Sequence, residues 1–169
     1  MTARARPTRE ELLALLDTVK DPEVPVVSVV ELGVVRDVAV EGDEIVVTIT
    51  PTYSGCPAMR EIEDEIVRAL QAEGHAPVRV RTVFAPAWTT DWIGPAAREK
   101  LRAYGIAPPG MAPSADDDLV PLRRRRETVR CPYCDSPDTT LRSEFGSTAC
   151  KSIRFCDACR QPFEQFKAI

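Results

Sequence analysis

The chain has 169 residues, of which 44% are hydrophobic and 28% are charged, which excludes a wholly disordered chain or a fibre. Its 22 basic and 26 acidic residues give a net charge of −4, which excludes a uniformly basic nucleic-acid binder. The charge is unevenly spread, because residues 120–169 carry +4 and residues 1–119 carry −8. The two parts of the chain are therefore electrostatically different.

A helix and a hairpin are predicted at the start of the chain. Thr8 and Glu11 have the spacing of a capping box ahead of apolar residues at helical intervals, and the helix should end before Pro22. Residues 34–40 and 44–50 are rich in β-branched side chains and flank a glycine–aspartate pair. Such a pair favours a tight turn, so the two segments are expected to form antiparallel strands.

A second helix, a third strand and a short helix should follow. Residues 57–73 place Met59, Ile62, Ile66 and Leu70 on one helical face, and residues 78–84 alternate as a strand does. A further short helix is predicted over residues 96–104. This order favours a small α+β domain in which helices cover one face of a mixed sheet.

The stretch after this domain is expected to be a linker. Residues 107–127 contain four prolines, an acidic triplet and the arginine run from Arg123 to Arg126, and they show no periodicity. The predicted domains are therefore residues 1–106, a linker over residues 107–127, and a cysteine-rich domain over residues 128–169. The arginine run could touch phosphate, but such a run is more often a solvated surface.

Four of the six cysteines form two C-x-x-C units, Cys131 with Cys134 and Cys156 with Cys159. Two such turns can supply four thiolates in a tetrahedron, the arrangement that structural zinc takes. Four protein ligands leave no open position for water, so the predicted role is structural. An iron–sulfur site, a redox pair and disulfides are the alternatives.

No segment reaches the roughly 20 apolar residues that a membrane helix needs, and no signal core follows the basic start of the chain. We therefore expect a cytoplasmic protein with reduced thiols. Cys150, the fifth cysteine of the tail, is interpreted as a small buried residue, although a surplus thiol could also face a partner.

Cys56 is the informative cysteine, because it lies at the junction of a predicted strand and a predicted helix. The free N–H groups and the dipole at a helix start favour a thiolate, although the acidic residues that follow would oppose ionisation. The alternative is a small packed residue under the loop. Asp21 and Glu23, in a stiff acidic loop, could be oxygen ligands or could simply be solvated or bonded to local backbone. Trp88 and Trp92 could anchor a partner or pack under the sheet.

Taken together, these motifs resemble a known family. Residues 21–25, 31–33 and 50–57 are similar to the iron–sulfur carrier domain of SufT-like proteins and eukaryotic cytosolic iron–sulfur targeting factors. A longer likeness covers nearly the whole chain, from about Thr8 to Ile169, and is to the PaaD family, also called PaaJ. It is carried by residues 86–93, 101–109, 131–134, 145–151 and 163–167. That resemblance implies an iron–sulfur-assembly-type domain fused to a β zinc ribbon, with Cys56, Asp21 and Glu23 at the carrier-domain motif positions.

The resemblance also implies a function. The family is an accessory part of the oxygenase that epoxidises the ring of phenylacetyl-CoA, whose chemistry belongs to a di-iron subunit and a reductase. We therefore expect a structural zinc, a transient iron or iron–sulfur cluster at Cys56, and contacts with oxygenase and reductase subunits. A homodimer is one way to complete a cluster's ligands, and neither nucleic acid nor a membrane is an expected partner.

Three rival functions follow from the same residues. A structural interaction subunit would bridge oxygenase components without handling metal at Cys56. A thiol-dependent enzyme would need a base that the sequence does not place near Cys56. A zinc-ribbon nucleic-acid module would conflict with the −8 charge of residues 1–119.

Overall fold

The computed structural model describes residues 6–110 and 128–169 and divides the chain into two compact units, Met1–Trp88 and Thr89–Ile169. The boundary between the units lies after Trp88, earlier than the boundary predicted after residue 106. Residues 89–107 belong to the unit that contains the cysteine-rich segment. The acidic triplet and the arginine run of the predicted linker lie outside the described residues.

The first unit is a three-stranded mixed sheet with two helices. Its elements are α1 (Arg9–Leu16), β1 (Val35–Glu41), β2 (Glu44–Ile49), α2 (Met59–Ala72) and β3 (Val78–Thr82). The strand order is β1-β2-β3, with β1 antiparallel and β3 parallel to β2. Helix α1 packs against α2 and β1, and α2 packs against β3. The predicted α+β class is confirmed.

Local sequence signals explain how these elements begin and end. Thr8 Oγ1 accepts the Glu11 N–H at 3.2 Å, and the Glu11 carboxylate accepts the Thr8 N–H at 2.8 Å, so the predicted capping box is present. Helix α1 ends at Leu16, earlier than predicted. The hairpin turn occurs at Gly42, whose φ of 66° is a left-handed conformation that glycine adopts without strain.

The core of the first unit lies between the helices and the sheet. The apolar stripe predicted for α2 is buried, since Ile62, Ile66 and Leu70 are each at most 1% exposed. Strand β2 is central and nearly apolar, and its partner β3 runs in the same direction. The carboxyl ends of β2 and β3 therefore meet at one edge of the sheet, where the loop carrying Cys56 begins.

The second unit combines a helix with a four-stranded sheet. Its elements are α3 (Pro95–Ala103), β4 (Ile106–Ala107), β5 (Thr139–Ser143), β6 (Lys151–Cys156) and β7 (Pro162–Phe166). The strand order is β4-β7-β6-β5, with β4 parallel to β7 and the other pairs antiparallel. The predicted helix over residues 96–104 is present one residue earlier.

Hydrogen bonds fasten residues 89–110 into this second unit. The Thr90 N–H donates to the Ile169 carbonyl at 3.1 Å, and the Thr89 hydroxyl donates to the same carbonyl at 2.8 Å. The Arg98 guanidinium donates to the carbonyls of Thr90, Ile93 and Pro109. A small buried cluster lies beside the cysteines and contains Ala107, Val129, Cys131, Cys156 and Phe163.

Among the described residues, the longest helix, α2, has 14 residues, and none of the helices is both long and apolar enough to cross a bilayer.

Candidate functional sites

The four cysteines of the two C-x-x-C units converge on one point. In each unit the residue after the second cysteine has a left-handed backbone, Asp135 with φ 61° and Arg160 with φ 62°. The N–H of each donates at 2.9 Å to the carbonyl of its unit's first cysteine. Because the two turns share this geometry, each aims its pair of sulfurs in the same way.

The sulfur positions fit a tetrahedral metal ion. All four Sγ atoms lie within 4.8 Å of one another, with Cys131 and Cys159 3.7 Å apart and Cys134 and Cys156 3.5 Å apart. Four thiolates around a zinc ion at about 2.3 Å would lie about 3.8 Å from each other. These four residues therefore offer a closed set of four sulfur ligands that suits a tetrahedral metal ion and leaves no position for a water.

Without a cation, the cysteines of the cluster differ in the pKa values of their thiols. The Cys159 N–H, which donates to the Cys156 sulfur, lowers the pKa of Cys156 to about 7. Burial raises the pKa of Cys159 to about 12. A divalent cation among the four sulfurs would hold all of them as thiolates.

The second site surrounds Cys56, in the loop between β2 and α2. The thiol is partly exposed, and the Cys56 N–H donates to the Tyr53 carbonyl at 3.2 Å. Helix α2 begins at Met59 with Ala58 as its cap, so Cys56 lies two residues before the cap instead of at the first turn. At the base of the loop, the Thr50 hydroxyl is buried and has no hydrogen-bond partner among the described residues.

The acidic turn that contains Asp21 and Glu23 is fixed by its own backbone. Asp21 is 8% exposed, and its Oδ1 accepts the N–H groups of Glu23 at 2.9 Å and Val24 at 2.8 Å. The Asp21 N–H donates to the Val27 carbonyl. Asp21 therefore shapes the turn, and Glu23 is placed partly exposed on it.

The acidic turn and the Cys56 loop are close enough for their charges to interact. Burial raises the pKa of Cys56, the negative charges of Glu23 and Asp21 raise it further, and hydrogen bonds from the Ala58 N–H and the Thr52 side chain oppose the shift. The net pKa is above its ordinary value, so Cys56 is a thiol near neutral pH. The expected ionisation at a helix start is wrong, because desolvation and two carboxylates outweigh the backbone.

Sequence reasoning did not single out Thr52, whose hydrogen bond to Cys56 depends on how the loop folds. Trp88 is 4% exposed and its Nε1 donates to the Leu32 carbonyl at 2.9 Å, so it packs in the first unit. Trp92, in contrast, belongs to the second unit and is partly exposed. Cys150 is 5% exposed, as predicted, and its sulfur lies 3.0 Å from the Thr148 hydroxyl.

These two sites define a class of protein, a small iron–sulfur-assembly-type domain joined to a four-cysteine metal ribbon. Residues 9–81 match the family described as "Iron-sulfur cluster assembly protein", and residues 115–167 match the "PaaD zinc beta ribbon domain".

Comparison with known proteins extends the likeness to almost the full length. The chain is 49% identical over 165 residues to a subunit of the "Putative 1,2-phenylacetyl-CoA epoxidase" of Escherichia coli (strain K12), covering 98% of this chain and 96% of that protein. The chain belongs to the PaaD family.

Other relatives match little more than half of this chain. The chain is 36% identical over 96 residues to an "Fe-S protein maturation auxiliary factor" of Porphyromonas gingivalis, covering 56% of this chain and 90% of that one. The crystal structure of a domain of unknown function, DUF59, from Bacillus anthracis is 32% identical with a TM-score of 0.51. It covers 55% of this chain and 90% of that chain.

Proposed function

We propose that this protein is an accessory subunit of a phenylacetyl-CoA epoxidase, and that it assembles or delivers iron or iron–sulfur centres through Cys56. The E. coli relative bears the name of an epoxidase subunit, and two relatives of the first unit are named iron–sulfur maturation factors. The observation that carries the proposal is the grouping of Glu23, Asp21 and Thr52 around the partly exposed Cys56 thiol.

The raised pKa of Cys56 means that a metal must displace a proton from the sulfur in order to bind. Iron or a cluster binds as the sulfur forms a metal–thiolate bond and loses its proton to solvent, with no change of oxidation state. Glu23, placed on the fixed acidic turn, is close enough for its charge to act on the sulfur, and in this proposal its carboxylate supplies an oxygen ligand. Competition between the proton and the metal for one sulfur keeps binding weak, which suits a cargo that must be released.

One thiolate cannot complete the four-ligand shell of a cluster. The remaining ligands come from a second copy of the chain, from a small thiol, or from the oxygenase or reductase subunit that receives the cargo. In this proposal the ligand set is completed only at handover, so the client captures the metal as its own ligands replace those of the carrier.

The ribbon has a separate role in this proposal. Cys131, Cys134, Cys156 and Cys159 hold a zinc ion that stabilises the second unit, because a closed set of four thiolates suits a structural ion. The chain itself is not the oxygenase, since its single histidine is too few for a carboxylate–histidine di-iron set.

The test replaces the proposed transfer residue. Co-expression of the epoxidase components with Cys56→Ser should yield oxygenase and reductase subunits depleted of iron, whereas wild type and the Cys150→Ser control should load them fully. Iron content is measured by elemental analysis and visible spectroscopy after anaerobic purification. Full loading in the presence of Cys56→Ser would refute the carrier role.

A structural interaction subunit remains the competing function, and the half-buried, protonated thiol is the observation that favours it. In that case Cys56→Ser would load normally, and the protein would co-purify with the oxygenase at fixed stoichiometry. A carrier should instead associate transiently and below one copy per complex. Anaerobic reconstitution of the purified protein with iron and sulfide, compared with Cys56→Ser, separates the two functions directly.

A further inference from the structure

The turn between β5 and β6 presents a phenylalanine to solvent. Phe145 is 67% exposed, the highest value among the large hydrophobic side chains of the described residues. Burying an aromatic ring of this size against a partner would contribute favourable binding energy. Such an exposed ring is informative only when its position is held, because a ring on a mobile loop gives up much of that energy on ordering.

Hydrogen bonds hold the Phe145 backbone on both sides. The Ser143 hydroxyl donates to the Phe145 carbonyl at 2.8 Å and accepts the Phe145 N–H at 3.2 Å. The Gly146 N–H donates to the Lys151 carbonyl at 2.8 Å, and the Lys151 N–H donates to the Thr148 carbonyl at 3.2 Å. The turn is therefore closed by its own backbone and by one side chain.

An ion pair between a buried lysine and a partly exposed glutamate supports the turn. The Lys151 side chain is 3% exposed, and its Nζ lies 3.1 Å from Glu164 Oε2, while Glu164 Oε1 accepts the Ser147 N–H at 2.6 Å. A Cβ on Gly146 would meet that same Oε1 at 2.6 Å, so a larger residue there would displace the Glu164 carboxylate. A displacement of the turn that broke this pair would leave the buried Lys151 charge without its partner, which is costly, so the pair favours the observed conformation.

The strand beside the turn extends the apolar surface and adds positive charge. Ile153, 36% exposed, and Phe155 are alternate residues of β6 and so share one face. The guanidinium groups of Arg142 and Arg160 lie 5.1 and 5.3 Å from the Phe155 ring centroid. We call this surface, together with Phe145 and Lys167, the ribbon face; Lys167 Nζ lies 5.0 Å from the Phe145 centroid.

The charges of the ribbon face favour an acidic partner. Its three cations, Arg142, Arg160 and Lys167, outnumber the carboxylates of Glu144 and Asp157; Asp157 accepts a hydrogen bond from Thr140, which is opposite Phe155. The carboxylate of Glu164, which is opposite Ile153, is neutralised by Lys151. A nucleic acid is a weaker fit, because the protein's own guanidinium groups already lie over the Phe155 ring on which a base would stack.

We propose that the ribbon face docks a protein surface with an apolar pocket rimmed by carboxylates, and that Phe145 is the anchor that enters the pocket. Resting on the proposed function, we assign that surface to an oxygenase or reductase subunit of the epoxidase. Docking through the ribbon would leave the Cys56 loop, in the other unit, to handle the cargo.

The binding test uses the full-length protein and purified epoxidase subunits, with the dissociation constant measured by biolayer interferometry. Phe145→Ala should weaken binding roughly tenfold or more, as expected for a buried aromatic anchor. The matched control is Leu141→Ala, which removes a 39% exposed side chain opposite Arg154 and so on the other face of the sheet. It should change the constant less than about twofold. Unchanged zinc content and circular dichroism show that each variant is folded.

The charge contribution is tested by salt. Binding of wild type should weaken as sodium chloride rises from 50 to 300 mM, and the double variant Arg142→Gln/Arg160→Gln should bind less tightly with a shallower salt dependence. A fluorescent 20-nucleotide single-stranded DNA is the competing probe. Tight DNA binding that these variants abolish, without loss of subunit binding, would overturn the proposal in favour of a nucleic-acid site.

The docking proposal and the carrier role can fail independently of each other. Cys56→Ser should bind the subunits as wild type does, whatever its effect on iron loading. Wild-type affinity of Phe145→Ala, or no binding of wild type to any subunit, overturns the docking surface. Neither result alters the test of Cys56, which is read from the iron content of the oxygenase.

Discussion

At the scale of single residues, Cys56 differs from an ordinary cysteine because its surroundings raise the pKa of its thiol. Burial and the carboxylates of Glu23 and Asp21 raise the pKa of the thiol, while the Ala58 N–H opposes them only in part. A permanently ionised cysteine would bind metal more tightly and would also be more prone to oxidation. A protonated thiol therefore suits the brief binding that the proposed transfer requires.

Removing one of these charges should move the pKa of Cys56 in a known direction. Glu23→Gln should lower the pKa toward its ordinary value, so that alkylation by iodoacetamide at fixed pH becomes faster and its pH profile moves to lower pH. Rates are followed by mass spectrometry of the Cys56 peptide. Glu10→Gln, in the first turn of α1, is the control and should leave the profile in place. An unchanged profile in Glu23→Gln would show that the acidic turn does not act on the thiol.

Glu164 should matter for stability because it compensates a buried lysine. Burial alone would raise its pKa, but the Ser147 N–H and Lys151 outweigh burial and hold the pKa below its usual value. Glu164→Ala should lower the free energy of unfolding of the second unit by roughly 2–3 kcal/mol, less than for a fully buried pair, because Glu164 is partly exposed. Chemical denaturation measures the loss, with the exposed Asp138→Ala as control.

The direction of the pKa shift of Glu164 determines how the stability of the second unit depends on pH. Because the folded pKa of Glu164 is lowered, its stabilisation is present above the ordinary carboxyl pKa and is lost as pH falls through the lowered value. Wild type should therefore lose more stability on acidification than Glu164→Gln does. Equal losses in the two proteins would contradict the assignment.

At the scale of elements, local signals were sufficient for the helices and the hairpin. The capping box at Thr8 and the turn at Gly42 depend on residues close in sequence, and both are present. The C-x-x-C units likewise fix their own turns, so the cysteine cluster could be predicted. The start of α2 was misplaced, because Pro57 is also compatible with the turn that precedes the helix.

Long-range contacts could not be read from local patterns. The pairing of β4 with β7 joins residues that are 58 apart at the Ile106–Glu164 pair, so neither residue signals the other. The hydrogen bond from Thr52 and the field of Glu23 at Cys56 depend on how two loops meet. The family resemblance named Asp21, Glu23 and Cys56 together, which spacing alone could not do.

The ribbon should depend on its metal. Purified protein should contain one zinc per chain, and a strong chelator should remove it and unfold the second unit, because binding to a four-thiolate site supplies on the order of 10–16 kcal/mol. Elemental analysis and the loss of dispersed amide signals from residues 128–169 report the change. Signals from the first unit should persist. Folded ribbon signals in zinc-free protein would contradict this role.

At the scale of the whole molecule, the chain consists of two units with different kinds of chemistry. The first carries the Cys56 loop and the second carries the metal cluster, and Thr89 begins the second unit well before the cysteines. The parallel pairing of β4 with β7 and the hold of Arg98 on Thr90 and Pro109 tie the intervening residues to the ribbon.

This division predicts where the chain can be cut. A fragment of residues 89–169 should fold with zinc, whereas residues 128–169 alone should be poorly ordered, because they lack β4 and Ala107, which is 1% exposed in the buried cluster. Amide spectra of both fragments with one equivalent of zinc provide the comparison. Equally dispersed spectra would mean that the shorter ribbon folds independently.

The hydrogen bonds between Thr89, Thr90 and Ile169 have a topological consequence. They bring the first and last residues of the second unit side by side, so a short peptide could join them without distorting the sheet. We therefore expect the second unit to tolerate circular permutation, in which Thr89 is linked to Ile169 and the chain is cut instead at an exposed turn far from the cysteines. For the same reason, a purification tag fused directly after Ile169 would interfere with the hydrogen bonds that Thr89 and Thr90 make to this residue.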